Sequence, residues 1–166
     1  MGFSPCEFDS ERTFFVTAVT WQRVSLLQSE RMAELLCETM FRYSKQGRYL
    51  LHEFILMPDH VHLLLTPVRN IALERAMQFI KGGFSHEAGK LLNSRKCIWE
   101  KSFTNHRIRN LDDYESHRRY IHLNPVRKFL CSTPEKYSFS SANPRFQLDA
   151  LPQGLKPLLL AARSHG

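Results

Sequence analysis

Residues 12–20 (RTFFVTAVT) alternate in part between apolar and polar positions and are rich in β-branched and aromatic side chains, which predicts a strand. After Ser29 the period changes. Met32, Leu35, Leu36, Met40 and Tyr43 recur at helical spacing, with Ser29 at the N-cap and Gln46-Gly47 closing the helix. Two apolar runs follow, 49–57 (YLLHEFILM) and 60–66 (HVHLLLT), divided only by Pro58-Asp59. So short a break between strands favours an antiparallel hairpin. Residues 71–92 carry a second helical pattern that Gly82-Gly83 would kink or interrupt, and 104–109 form a fourth extended segment. Residues 111–123 predict a third helix. Asn110 is its N-cap, and Asp112-Asp113 lie in the first turn, where the helix dipole favours negative charge. Pro125 is expected to stop it, because the residue before a proline resists helical geometry. Beyond Ser132 the chain reads as Pro- and Ser-rich loops with one short apolar run at 158–162.

The order β-α-β-β-α-β-α predicts an α+β fold of the ferredoxin-like, RRM-like split βαβ type. Its antiparallel four-stranded sheet would carry two helices on one face and leave the other face free for a partner or a site. No repeat or low-complexity linker divides the chain, so we expect one domain over 1–142 and a C-terminal tail over 143–166.

With 166 residues, 43% of them hydrophobic, the chain can bury one core, which excludes a disordered tail. No stretch of ~18 uncharged apolar residues suggests a membrane span. The N-terminus lacks the basic start and apolar run of a secretory signal, and Cys6 stands where a myristoylation site wants a hydroxyl. Cys6, Cys37, Cys97 and Cys131 are scattered without a C-x-x-C pair, which predicts a reducing, cytoplasmic setting. The net charge of +7 is unevenly spread: −2 over 1–74, +7 over 75–128 and +2 over 129–166. A basic middle third suits a polyanion, because each neutralised phosphate releases counterions. Phe79, Phe84, Trp99, Phe103, Tyr114 and Tyr120 interleave with these charges. Unpaired bases stacking on such rings gain ~1–3 kcal/mol each, although a core role competes for every ring.

His60 and His62 are two apart on a predicted strand, so both leave one face while Val61 and Leu63 point into the core. Paired imidazoles on a sheet face can hold a divalent cation, or be structural. Tyr120 and Asn124, four apart, share a helix face. The same residues would also fit a helix–sheet contact and a helix terminator. Tyr114, six residues earlier, lies off that face.

Taken in order, MPDHVHLLL (57–65), WEKSFTNHRIRN (99–110) and YIHLNPVRK (120–128) resemble the HUH single-strand transposases, most closely the REP-associated tyrosine transposases. The likeness continues to PEKYSFSSA (134–142), about four-fifths of the chain. The chain departs from the family at Asn105, usually aspartate, and at Glu100, usually glutamine. The resemblance implies a catalytic last helix with Tyr120 as nucleophile. It implies His60, His62 and Asn124 as ligands of one Mg²⁺ or Mn²⁺, the asparagine standing where related insertion-sequence enzymes use glutamine. The implied activity is a metal-dependent single-stranded DNA endonuclease and strand transferase on REP-type hairpin DNA, working through a 5′-phosphotyrosine. No phosphate-binding glycine loop calls for a nucleotide cofactor. Lys81, Arg95, Lys96, Trp99, Phe103, His106, Arg107, Arg109, Arg118 and Arg119 are candidate DNA contacts. A monomer is expected, with a dimer as the alternative. The competing class is a non-catalytic RRM-like binder of single strands on the free sheet face. Its nearest RNP-like text, KGGF (81–84), falls in a predicted helix.

Overall fold

The computed structural model describes residues 12–157. Its elements are β1 (Phe14–Val19), α1 (Glu30–Lys45), β2 (Tyr49–Met57), β3 (His60–Pro67), α2 (Leu73–Leu92), β4 (Thr104–Arg107) and α3 (Leu111–Arg127). The four strands form one antiparallel sheet in the order β2-β3-β1-β4, the split βαβ arrangement. The Ser29 hydroxyl caps α1 by accepting from the Met32 N–H, and Gly47 turns the chain out of it at φ 78°. The two-residue connection at Pro58-Asp59 pairs Met57 with His60 and fixes the register of β2 against β3.

One face of the sheet packs under α1 and α2. Val16, Ala18, Phe54, Leu56, Val61, Leu63 and Leu65 meet Leu36, Met40, Met77, Ile80 and Phe84 there. The expected break at Gly82-Gly83 does not occur, and α2 runs through both glycines. A Cβ on Gly83 would lie 2.9 Å from Tyr43 Cε2, so this glycine lets α1 and α2 approach closely.

The opposite face is not free. α3 lies on it, and Tyr114 and Ile121 join Ile55, Met57, Leu64 and Ile108 in a second core. Burying such side chains stabilises the packing by roughly 1.5–3 kcal/mol each. Pro125 does not stop α3 either. Ile121, Asn124 and Pro125 are buried, and the Lys128 N–H still reaches the Asn124 carbonyl at 3.1 Å. Tertiary packing at the last turn outweighs the proline's local preference.

A bulge between Leu51 and Glu53 in β2 also breaks the simple alternation. Leu51 belongs to the first core, yet Glu53 pairs with side chains of α3. Residues 143–157, expected as a tail, partly line the outer edge of β2. Leu51 and Asp149 exchange hydrogen bonds of 2.8 and 3.0 Å, and His52 Nδ1 lies 2.7 Å from the Ala150 carbonyl. Just before them, Phe139–Ser141 pair with Phe54–Leu56, covering part of the edge strand. The apolar run at 158–162 lies outside the described residues. Among the described residues no helix is long and apolar enough to cross a membrane.

Candidate functional site

Antiparallel register places Thr17 opposite His62 and Val19 opposite His60. Facing residues share a sheet face, so Phe15, Thr17, His60 and His62 all look toward α3. The His60 and His62 rings lie 4.7 Å apart between centroids. His60 Nδ1 is 2.7 Å from Asp59 Oδ1. A carboxylate only accepts, so His60 donates through Nδ1 and its Nε2 lone pair is left for another partner. Burial alone would raise the Asp59 pKa, but His60 and Arg23 more than offset it and hold the carboxyl below its ordinary range.

His62 Nδ1 is engaged by the Thr17 hydroxyl at 2.7 Å. Burial, reinforced by the neighbouring His60, pushes the His62 pKa down to about 3, so its ring is neutral near pH 7. Its Nε2 is buried without a hydrogen-bond partner among the described residues, and so is Asn124 Oδ1. Each unmet buried polar atom costs about 1–3 kcal/mol, which makes one on β3 and one on α3 informative.

α3 brings the third part. Asn110 caps the helix by accepting from the Asp113 N–H at 2.8 Å. Tyr120 is 42% exposed, and its ring meets His62 edge-on with centroids 5.3 Å apart. Asn124 lies one turn further along the same face. Phe15 is wedged among these groups, 5.2 Å from His62, 6.0 Å from Tyr120 and 4.7 Å from His117. The structure therefore brings together His60, His62 and Tyr120, with Asn124 buried one helical turn beyond the tyrosine. Tyr114, by contrast, is buried, and desolvation drives its pKa up.

Two struts orient α3. Toward β4, His106 Nε2 lies 2.8 Å from Asp113 Oδ2, the Arg109 N–H donates to the same oxygen, and His117 Nδ1 is 3.2 Å from Oδ1. The ligand atoms of His106, Asp113 and His117 lie within 4.8 Å of one another, a geometry that could also receive a cation. Toward β2, Glu53 accepts from Arg118 Nε at 3.0 Å and His122 Nε2 at 2.9 Å. Burial would raise the Glu53 pKa, yet the bonds from His122 and Ser141 and the charge of Arg118 hold it below its ordinary range.

The candidate DNA contacts fall into distinct environments. Trp99 is only 5% exposed, stacks edge-on against Phe84 and donates its indole N–H to the Lys81 carbonyl, so its ring belongs to the core. Lys81 is half-buried and donates to the Glu100 carbonyl at 2.9 Å, while Phe103 packs against the first core. His106 and Arg118 belong to the struts. Arg95, Lys96, Arg107, Arg109 and Arg119 are exposed. Sequence reasoning missed Arg127, whose guanidinium lies 5.8 Å from the Tyr120 ring and lines a cleft with Tyr120 and Arg119. It also missed Phe15, Thr17, Glu53 and Asp113. Only Asp59, adjacent to His60 in the text, left a local signal.

The sequence model of the family described as "Transposase IS200 like" matches residues 11–124. A REP-associated tyrosine transposase of Escherichia coli is 25% identical over 137 residues, covering 78% of this chain and 80% of that protein. A Haemophilus influenzae protein assigned to the same group is 26% identical over 108 residues, covering 59% of this chain and 61% of its own. Among solved structures, a REP-associated tyrosine transposase bound to a REP hairpin superposes with a TM-score of 0.68 at 24% identity. It covers 91% of this chain and 92% of the other, which establishes a shared fold.

Proposed function

Since this chain belongs to the IS200-like transposase family, enzymes that nick and join DNA, we propose that it cuts and rejoins single-stranded DNA at REP-type hairpins with Tyr120 as the nucleophile. The hairpin substrate is carried over from relatives. One is named a REP-associated tyrosine transposase, and a structure of the same fold holds a REP hairpin. The observation that carries the chemistry is the contact between Tyr120 and His62, whose buried Nε2 has no partner among the described residues.

His60 Nε2, His62 Nε2 and Asn124 Oδ1 fit a divalent cation, Mg²⁺ or Mn²⁺ in our reading. Two of these atoms are buried and unmet among the described residues, and both imidazoles have Nδ1 engaged by a neighbour. When bound, the cation would polarise the scissile phosphate and offset its charge. His106, Asp113 and His117 are the weaker choice. Asp113 Oδ2 already takes the His106 ring and the Arg109 N–H, which suits a strut.

Tyr120 Oη attacks phosphorus in line and loses its proton. The bond to the 3′-oxygen breaks, and that oxygen leaves as a hydroxyl after taking up a proton. A 5′-phosphotyrosine and a free 3′-hydroxyl result. Because the phosphotyrosine conserves the bond, attack by a 3′-hydroxyl rejoins the strand without a nucleotide cofactor. Phe15 holds the Tyr120 and His62 rings in place, and Arg127 and Arg119 offer positive charge beside the tyrosine.

A purely binding, RRM-like role would need an open sheet face on which bases stack. Here α3 packs on that face. The deciding experiment incubates the protein with hairpin DNA carrying a single-stranded flank, plus Mn²⁺, and resolves the products in SDS. We expect a covalent protein–DNA band. Tight binding with neither a band nor nicked product would overturn the reading.

A further inference from the structure

Just past α3 the chain does something costly. Phe129 adopts φ 59°, a left-handed conformation that bulky side chains rarely take and that usually falls to glycine at a helix C-terminus. The backbone there is well bonded: the Phe129 N–H reaches the Val126 carbonyl at 3.1 Å, and the Leu130 N–H reaches that of Pro125 at 2.8 Å. This turn leaves the phenyl ring 94% exposed. The ring therefore contributes almost nothing to the fold and loads the backbone with an unfavourable conformation.

Its surroundings are cationic. Arg127 and Lys128 immediately precede it and are exposed, and Arg127 reaches back over the Tyr120 ring. Phe129 with half-exposed Leu130 is too small an apolar patch for a stable dimer, which needs about 800 Å² per partner. An exposed ring that directly follows two exposed cationic residues in the chain instead matches an unpaired nucleobase, with a flat π face for the ring and phosphates for the charges.

We propose that Phe129 is a stacking platform for one unpaired base of the DNA strand that Tyr120 attacks. This deepens the function proposed above and rests on it. Arg127 lies seven helical positions beyond Tyr120, roughly 10 Å along the axis, and Phe129 lies two residues further. With about 3.4 Å per stacked nucleotide, the base on Phe129 lies roughly three or four nucleotides from the scissile phosphate.

The test measures binding in EDTA, so that no cleavage intervenes. Its probes are a blunt hairpin stem, the same stem with a single-stranded flank, and a flanked series with 2-aminopurine at each position in turn. Phe129→Gly is expected to weaken the flanked hairpin roughly 5- to 150-fold, the range of one lost base stack. It should leave the blunt stem unchanged within about twofold and keep or raise the melting temperature. The wild type should quench 2-aminopurine at one flank position. Phe129→Gly should lose that quenching, and Phe129→Trp should keep it. Equal affinity of wild type and Phe129→Gly for the flanked hairpin overturns the inference alone. Loss of a dimer in Phe129→Gly with unchanged DNA affinity also overturns it, assigning the patch to a second copy. Failure of the wild type to bind any of these DNAs overturns the proposed function with it.

Discussion

The edge of the Tyr120 ring meets the His62 imidazole with centroids 5.3 Å apart, across the interface between α3 and β3. Tyr120 is 42% exposed, while His62 Nε2 is sealed from solvent without a partner among the described residues. A partly exposed tyrosine thus borders a buried ring nitrogen that no described residue satisfies. Tyr120→Phe keeps the ring contact and removes only the hydroxyl. We expect no covalent DNA adduct and no nicking, with hairpin affinity within about twofold of wild type because phosphate contacts supply most of it. Nicking by this variant, read on a sequencing gel, would remove Tyr120 from its role.

Asp59 holds His60 through Nδ1 and so aims Nε2. Partners of this kind typically set metal affinity by about 10–100-fold, the weakening expected for Asp59→Ala in a Mn²⁺ titration followed by electron paramagnetic resonance. His106→Ala should leave Mn²⁺ affinity unchanged. The reverse pattern would move the cation to the Asp113 cluster.

Glu53 anchors α3 to β2, and its pKa is depressed on folding. A group with a lowered folded pKa stabilises fully above its unfolded value, about 4.3, and loses that contribution as pH falls through the folded value. Glu53→Gln weakens charge-assisted bonds and should cost about 1–3 kcal/mol at pH 7. That corresponds to roughly 2–4 °C of melting temperature per kcal/mol for a chain of this size. The gap between wild type and variant should narrow as pH falls below about 4. A gap that stays constant from pH 7 to pH 3 would contradict the assignment.

The two neighbouring glycines of α2 should respond in opposite directions. A Cβ on Gly82 meets nothing within 4 Å, so Gly82→Ala should stabilise by about 0.5–1 kcal/mol through helix propensity. On Gly83 it would meet Tyr43 at 2.9 Å and Thr39 at 3.1 Å, so Gly83→Ala should destabilise by roughly 1–3 kcal/mol. Urea unfolding of the two variants checks this. Equal shifts would mean that α1 and α2 are less tightly apposed.

Local chemistry made much of this legible in the sequence. Ser29 and Asn110 cap their helices by short-range bonds, and Pro58-Asp59 leaves the chain no route but a hairpin. The shared face of His60 and His62 follows from the period of a strand. What stayed hidden depends on tertiary packing. Pro125 sits within α3 because Ile121 packs on the sheet and Asn124 and Pro125 are themselves buried, a gain that local propensity cannot register. Glu53 shares the α3 face with Ile55 and Met57, but the bulge between Leu51 and Glu53 sends Leu51 to the other core, a one-residue slip that the alternation of YLLHEFILM does not reveal. Thr17 and Phe15 join the site through their pairing with β3, some 45 residues away in the chain, as the Thr17–His62 bond shows.

The most direct test digests the protein–DNA adduct with protease and nuclease and locates the modified peptide by mass spectrometry, using hairpin substrates labelled at either end. We predict one nucleotide linked through phosphate to Tyr120, with the 5′ side of the cut bound to protein and a free 3′-hydroxyl on the other fragment. A linkage on any other side chain, or a protein-bound 3′ end, would contradict the account.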